Sequence, residues 1–282
     1  MTDQQEGAFE SPIQDINWHL SVMLAEASQI AYLAESEIAS WATNNLSSTN
    51  VEFIDAEDTE VFIAENDSEM YIVFRGSKGL RDWIANMKIL KSTTDFGKVH
   101  SGFMEAFSVV REKIFTAMTR ARENNKKLYL SGHSLGGALA TIAAADSNIK
   151  IGSTPIEAIY TFGMPKTSNR TAADYINSNF GSRFFRFVND RDIVTRIPPG
   201  SRHVGRLIHF DKHGEIKNTN NNAETTLASE ENEDDITKAQ FELIQKGLQR
   251  EKGAVTEGEM IGADDHSIAN YVEILTHHRN NS

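Results

Sequence analysis

The pentapeptide Gly132-His133-Ser134-Leu135-Gly136 constrains this chain more than any other stretch. An apolar-rich run, Lys127-Leu128-Tyr129-Leu130-Ser131, precedes it. The alanine-rich segment Gly137 to Ala145 follows it and reads as a helix. Strand, G-x-S-x-G, helix is the setting of a nucleophile elbow, where a serine on a sharp turn exposes its hydroxyl above the sheet edge. The flanking glycines let the backbone turn tightly enough to hold strained dihedrals at the serine. The helix behind it brings a positive dipole end and free N–H groups to any oxyanion that forms there.

The surrounding pattern alternates strands with helices. Residues Asp15 to Glu35 carry Ile16, Leu20, Met23, Leu24, Ala27, Ile30, Ala31 and Ala34 at helical spacing. Short β-type runs follow at Val51–Ile54 and Val61–Ala64, then a turn at Asn66-Asp67-Ser68 and a buried strand at Met70–Phe74. Helices are expected at about 80–90 and 103–124, and again near 168–179. Further strands are expected at Ile156–Phe162 and Arg183–Val188, with an alternating run at Val204–Phe210. This order predicts an α/β fold with a mostly parallel sheet covered on both faces.

One break in composition interrupts it, an acidic surface excursion over 213–262. It contains Asn218-Thr219-Asn220-Asn221-Asn222 and Glu230-Glu231-Asn232-Glu233-Asp234-Asp235. Inside it, Ile236 to Arg250 reads as an amphipathic helix with Phe241, Ile244 and Leu248 on one side.

Composition narrows the function. A net charge of −12 leaves no basic patch to neutralise phosphates, which argues against nucleic acid, and it disfavours adsorption to anionic membranes. No apolar run reaches the length of a transmembrane span. Zero cysteines exclude disulfides and thiolate metal sites. No His/Asp/Glu cluster shows ligand spacing, so neither metal nor cofactor is expected. The start Met1-Thr2-Asp3-Gln4-Gln5-Glu6 lacks a basic then apolar leader, so the expectation is a cytoplasmic protein, with signal-independent secretion as the other reading.

A serine hydroxyl needs a base, and the base needs an orienting carboxylate; on this fold the chain order is Ser, acid, His. His203, His209, His213 and His266 lie well after Ser134. His209 sits in the alternating run and reads as a packed strand residue, while His277 and His278 fall in a terminal polar tail. His266, in Asp264-Asp265-His266-Ser267, lies where a loop meets the last apolar helix, Ile268 to Leu275, as an active-site histidine would. For the acid, Val188-Asn189-Asp190-Arg191-Asp192-Ile193-Val194 follows a strand, which favours Asp192 at the carboxyl end of the sheet with Asp190 as competitor. His133 and His100 read as packing residues.

Together these segments resemble the class 3 lipases, the fungal-type triacylglycerol lipase family. Phe74-Arg75-Gly76-Ser77 with Asp82-Trp83 is similar to the family's oxyanion strand and lid start. Val99-His100-Ser101-Gly102-Phe103 resembles the stretch opening the next helix. The elbow from Gly132 to Ala140, the acid segment with Pro198 and Pro199, and the Asp264 to Tyr271 stretch complete the likeness in family order. Thr195 departs from it, standing where the family usually has proline.

The resemblance implies an α/β-hydrolase fold as a single domain over 1–282, with a short helical lid over 78–91. It implies a triad of Ser134, Asp192 and His266, thereby choosing Asp192 over Asp190. It also implies an oxyanion hole from the backbone N–H groups of Leu135 and Ser77, with the Ser77 hydroxyl. Leu80, Trp83, Ile84, Met87 and Leu90 recur at helical spacing just after Ser77. Such a stripe by default packs on a core, but its place beside the oxyanion residue favours a lid. The function expected is hydrolysis of carboxylic esters, acylglycerols first, on a lipid or ester substrate that includes a lipid–water interface. A phospholipase or feruloyl-type esterase on the same triad is the alternative. A non-catalytic lipase-like scaffold is disfavoured because all three triad residues are present.

Overall fold

The period-2 alternation of the apolar residues explains the layering. In a computed structural model, which describes residues 16–217, 236–250 and 264–282, a seven-stranded sheet forms the middle of the molecule. Its strands are β1 (Asn50–Ala56), β2 (Thr59–Glu65), β3 (Glu69–Phe74), β6 (Lys127–His133), β7 (Ile156–Phe162), β8 (Phe184–Asn189) and β9 (Arg206–Phe210), in spatial order β1-β2-β3-β6-β7-β8-β9. The first three pair antiparallel; β3, β6, β7, β8 and β9 run parallel. Met70, Ile72 and Phe74 of β3 face one core, while Tyr71 and Val73 face the other. Leu128 and Leu130 against Tyr129 on β6 repeat the division. Strands buried on both faces need helices on both faces.

The first layer holds α3 (Leu80–Asn86), α4 (Ser101–Ser108), α5 (Arg111–Glu123), α6 (Leu135–Lys150), α7 (Arg170–Phe180) and α8 (Lys238–Arg250). The second holds α1 (Trp18–Ile30), α2 (Glu35–Asn45) and α9 (Ile268–Asn281). This is the α/β-hydrolase arrangement expected from the sequence. Among the described residues no helix is long and apolar enough to cross a membrane.

Several elements differ from the sequence reading. The helix expected over 103–124 is two, α4 and α5, broken at Val109 and Val110. The helical stripe after Ser77 stops at Asn86; Met87 leaves it in extended conformation, and β4 (Lys91–Thr94) then pairs with β5 (Gly97–His100) in a separate ribbon. That ribbon was not expected, because Lys91-Ser92-Thr93-Thr94 carries no apolar alternation. The first helix ends at Ile30, and α2 follows as a separate, mostly polar helix with Ile38, Trp41 and Ala42 at helical spacing. His277 and His278 belong to α9 rather than a tail; His278 stacks on Trp18 at 4.9 Å and on Phe210 at 5.3 Å. Of the acidic excursion, 218–235 and 251–262 lie outside the described residues.

Candidate active site

The turn after β6 is built by its glycines. A Cβ on Gly132 would fall 2.3 Å from the Gly136 carbonyl carbon, and one on Gly136 would fall 2.1 Å from the Phe74 oxygen. Only bare backbone fits this crossing of β3, β6 and α6. Ser134 is thereby held at φ 57° and ψ −127°, a strained conformation for a side-chain-bearing residue. It stands at the start of α6, its N–H bonded to the Phe162 carbonyl at 2.9 Å, and it is 2% exposed.

Asp192 and His266 meet at the same edge, brought from the loop after β8 and the turn before α9. His266 Nδ1 lies 2.9 Å from each Asp192 oxygen, and Tyr271 donates its phenol hydrogen to Asp192 Oδ2 at 2.7 Å. The Val194 N–H adds a third donor at 2.9 Å to Oδ1. Burial pushes the Asp192 carboxyl up, but His266 and the Tyr271 hydrogen bond outweigh it and leave the group below its ordinary value. Burial and the adjacent carboxylate push the Tyr271 phenol well above its ordinary value, so it remains a donor. With an ionised carboxylate as acceptor, the imidazole proton sits on Nδ1 and Nε2 carries a lone pair. Nε2 is buried and has no hydrogen-bond partner among the described residues. An oriented imidazole with a free Nε2 is the form a general base requires.

Behind this pair lies a second histidine. His133 Nε2 is 2.7 Å from the His266 carbonyl, and its Nδ1 is 2.9 Å from the Tyr32 hydroxyl. A carbonyl only accepts, so Nε2 donates and Nδ1 accepts from Tyr32. Burial, helped by His266, lowers the His133 pKa to about 3, so the ring is neutral. The Tyr32 hydroxyl also fills the space where a Gly76 Cβ would lie, 2.0 Å away. Tyr32 thus links the strand end before Ser77 to the backbone of His266. Gly163, at φ +60°, completes the support: its Cβ would fall 2.7 Å from Asp192 Oδ2 and 2.8 Å from His266 Nδ1.

Ser77 and Leu135 line one cavity of about 630 Å³ with the apolar Trp83, Met87, Leu90 and Phe103 and with charged residues such as Asp82, Lys88 and Glu105; Ser134, Asp192 and His266 are not in its lining. Of the five stripe residues, Trp83, Met87 and Leu90 reach this cavity, whereas Leu80 and Ile84 pack into the core. Trp83 stacks on Phe103 at 6.0 Å. His100, read as a packing residue, donates Nε2–H to the Lys88 carbonyl and tethers the segment after α3.

The other candidates lie apart from the Asp192–His266 pair. Asp190 faces Lys217 at 3.7 Å, its carbonyl receiving His209; His203 is bonded to the Thr195 carbonyl. Tyr32, Tyr271 and Gly163 were not singled out from sequence. Their roles depend on contacts across 163 to 271 and 32 to 133, which no local pattern carries.

The strained serine and the carboxylate-held imidazole thus lie at the same edge of an α/β-hydrolase sheet, with no hydrogen bond between Ser134 and His266 among the described residues. Residues 71–201 match the family model described as Lipase (class 3). It is 35% identical over 161 residues to a lipase of Rhizomucor miehei, covering 52% of this chain and 44% of that protein. It is 36% identical over 144 residues to a secreted mono- and diacylglycerol lipase of Fusarium solani, covering 48% and 42%. The match therefore spans less than half the length of these curated relatives. Among solved structures, a fungal lipase–inhibitor complex superposes with TM-score 0.59 at 26% identity, covering 71% of this chain and 82% of that one. The native Rhizomucor miehei lipase–propeptide complex gives TM-score 0.55 at 26% identity, covering 71% and 68%. The cytoplasmic expectation is corrected here: the Fusarium solani relative and one from Malassezia restricta are named secreted lipases, which points outside the cell.

Proposed function

We propose that the protein is an extracellular acylglycerol lipase, a single α/β-hydrolase domain working through an acyl-enzyme on Ser134. The observation that carries this reading is the buried Asp192–His266 pair with a free Nε2, on the same sheet edge as the strained Ser134. Ser134 Oγ attacks the ester carbonyl carbon while His266 Nε2 takes its proton. The Asp192 carboxylate keeps the imidazole in that tautomer and balances the imidazolium. The N–H groups of Leu135 and Ser77, with the Ser77 hydroxyl, hold the oxyanion. The imidazolium then protonates the leaving alcohol, and water repeats the sequence on the acyl-enzyme to release the acid. Support for acylglycerols comes from the relatives' names and from the apolar cavity walls Trp83, Met87, Leu90 and Phe103 beside Ser77.

The segment 78–91, with α3 at its centre, is read as a lid opened by a lipid–water interface. Ser134 is 2% exposed, so substrate access requires movement. The test is initial-rate hydrolysis of p-nitrophenyl esters from acetate to palmitate, and of mono-, di- and triacylglycerols, by wild type and Ser134→Ala. Hydrolysis that needs Ser134 and extends to acylglycerols supports the proposal. Equal background rates for the two proteins on every ester would overturn it.

A further inference from the structure

A helix of seven residues does not hold itself together in water. The α3 helix has that length, and Gly79 at its start offers no side-chain cap. Its support comes from α8. Gln245 Nε2 donates to the carbonyls of Ile84 at 2.9 Å and Met87 at 2.7 Å, and Gln249 Nε2 donates to Ala85 at 3.0 Å. In the other direction, Arg81 reaches the Leu248 carbonyl near the end of α8 at 3.4 Å. Each helix thus supplies donors to carbonyls at or just past the other's C-terminal end, of which Ile84 also accepts the Met87 N–H at 3.3 Å. Beneath these bonds, Phe241 and Leu248 of α8 and Ile236 just before it are buried in one cluster with Ile84, Ala85 and Met87.

We propose that α8 is a latch that holds the lid helix α3 closed, so that opening requires α3 and α8 to separate; this rests on reading α3 as a lid. If α3 swings away alone, the three glutamine hydrogen bonds break, with only Ile84 keeping its Met87 N–H, and Phe241 and Leu248 meet water. Those losses set a threshold against opening in solution. A lipid surface lowers it by covering the apolar residues that separation uncovers. The α8 helix is therefore an autoinhibitory element.

The test compares wild type with Gln245→Ala/Gln249→Ala on tributyrin, below and above its solubility limit. Three hydrogen bonds to the closed lid are lost, so the rate below the limit should rise about fivefold or more, while the rate above it stays unchanged. If the wild-type rate breaks upward at the limit but the variant matches it below the limit, the latch is wrong and the lid reading stands. If wild type shows no break, the lid reading fails and the latch with it. A second measurement joins α3 to α8. The chain has no cysteine, so Asn86→Cys/Gln249→Cys bridged by a reducible bis-thiol linker reacts only there. Bridging should abolish the upward break and reduction should restore it. A bridged enzyme with the full rate above the limit would overturn the latch.

Discussion

Gly163→Ala separates the packing of the site from the backbone strain near it. Gly163 and Gly200 both hold positive φ, +60° and +73°, so alanine at either one pays the same conformational penalty, about 1–2 kcal/mol. They differ in surroundings: a Cβ at Gly200 meets nothing within 4 Å, while one at Gly163 lies 2.7 Å from Asp192 Oδ2 and 2.9 Å from His266 Cε1. Ordinary contact begins near 3.4 Å, so the carboxylate must retreat by 3.4 − 2.7, about 0.7 Å. Asp192 is fully buried and held by three donors, so it cannot retreat without loosening its hold on His266. Overpacking of this kind costs about 1–3 kcal/mol beyond the strain, or roughly 2–12 °C in Tm at 2–4 °C per kcal/mol. Displacing a general base by a good part of an ångström costs up to about 10²-fold in rate. The assay is Tm and kcat/KM on soluble p-nitrophenyl butyrate for wild type, Gly200→Ala and Gly163→Ala. Gly200→Ala should keep its rate; Gly163→Ala should lose about 10- to 100-fold. Equal kcat/KM for the two variants would refute the packing argument.

Other expectations follow from the same contacts. Tyr32→Phe strips the donor from buried His133 Nδ1 and should cost about 1–3 kcal/mol, seen as a Tm several degrees lower; an unchanged Tm contradicts the network. Ser77→Ala removes only the hydroxyl donor and should lower kcat at least about tenfold with KM little changed, against which an unchanged kcat would count. His133 is held at about 3 in the folded protein against 6.5 when free, and burial lowers His100, His203 and His209 as well. Between the folded and unfolded values the unfolded chain binds more protons, so stability rises with pH there and is lost as pH falls below about 6.5, by up to about 1.4 kcal/mol per unit for each histidine. Asp192, also depressed, adds its loss below about 4. A urea midpoint that stays flat from pH 6.5 to 5 would contradict the neutral buried histidines.

The parts of this site legible in the sequence are those that local chain geometry controls. A G-x-S-x-G turn between a strand and a helix is a contiguous object, so the elbow could be read directly, and so could the alternation that divides Met70, Ile72 and Phe74 from Tyr71 and Val73. Asp192 was separable from Asp190 only through family likeness, since both stand on the same loop; packing turns Asp190 toward Lys217. The polar ribbon of β4 and β5 carried no periodic signal, and α2 only the short one of Ile38, Trp41 and Ala42. The supports of the site, Tyr32, Gly163 and Tyr271, were hidden because each acts across more than 25 residues of chain. The amphipathic stripe of α8 was visible, but its partner was not: hydrogen bonds from Gln245 and Gln249 to lid carbonyls depend on where two helices meet, not on either sequence alone.

The most direct test of the central claim is covalent. Wild type, Ser134→Ala and His266→Ala would be treated with a fluorophosphonate probe, with the adduct located and its formation timed by mass spectrometry. The account predicts one adduct per chain on Ser134 in wild type, none in Ser134→Ala, and labelling of His266→Ala slowed by about 10³-fold or more. Labelling at another residue, or equal rates with and without His266, would contradict an activated serine at this elbow.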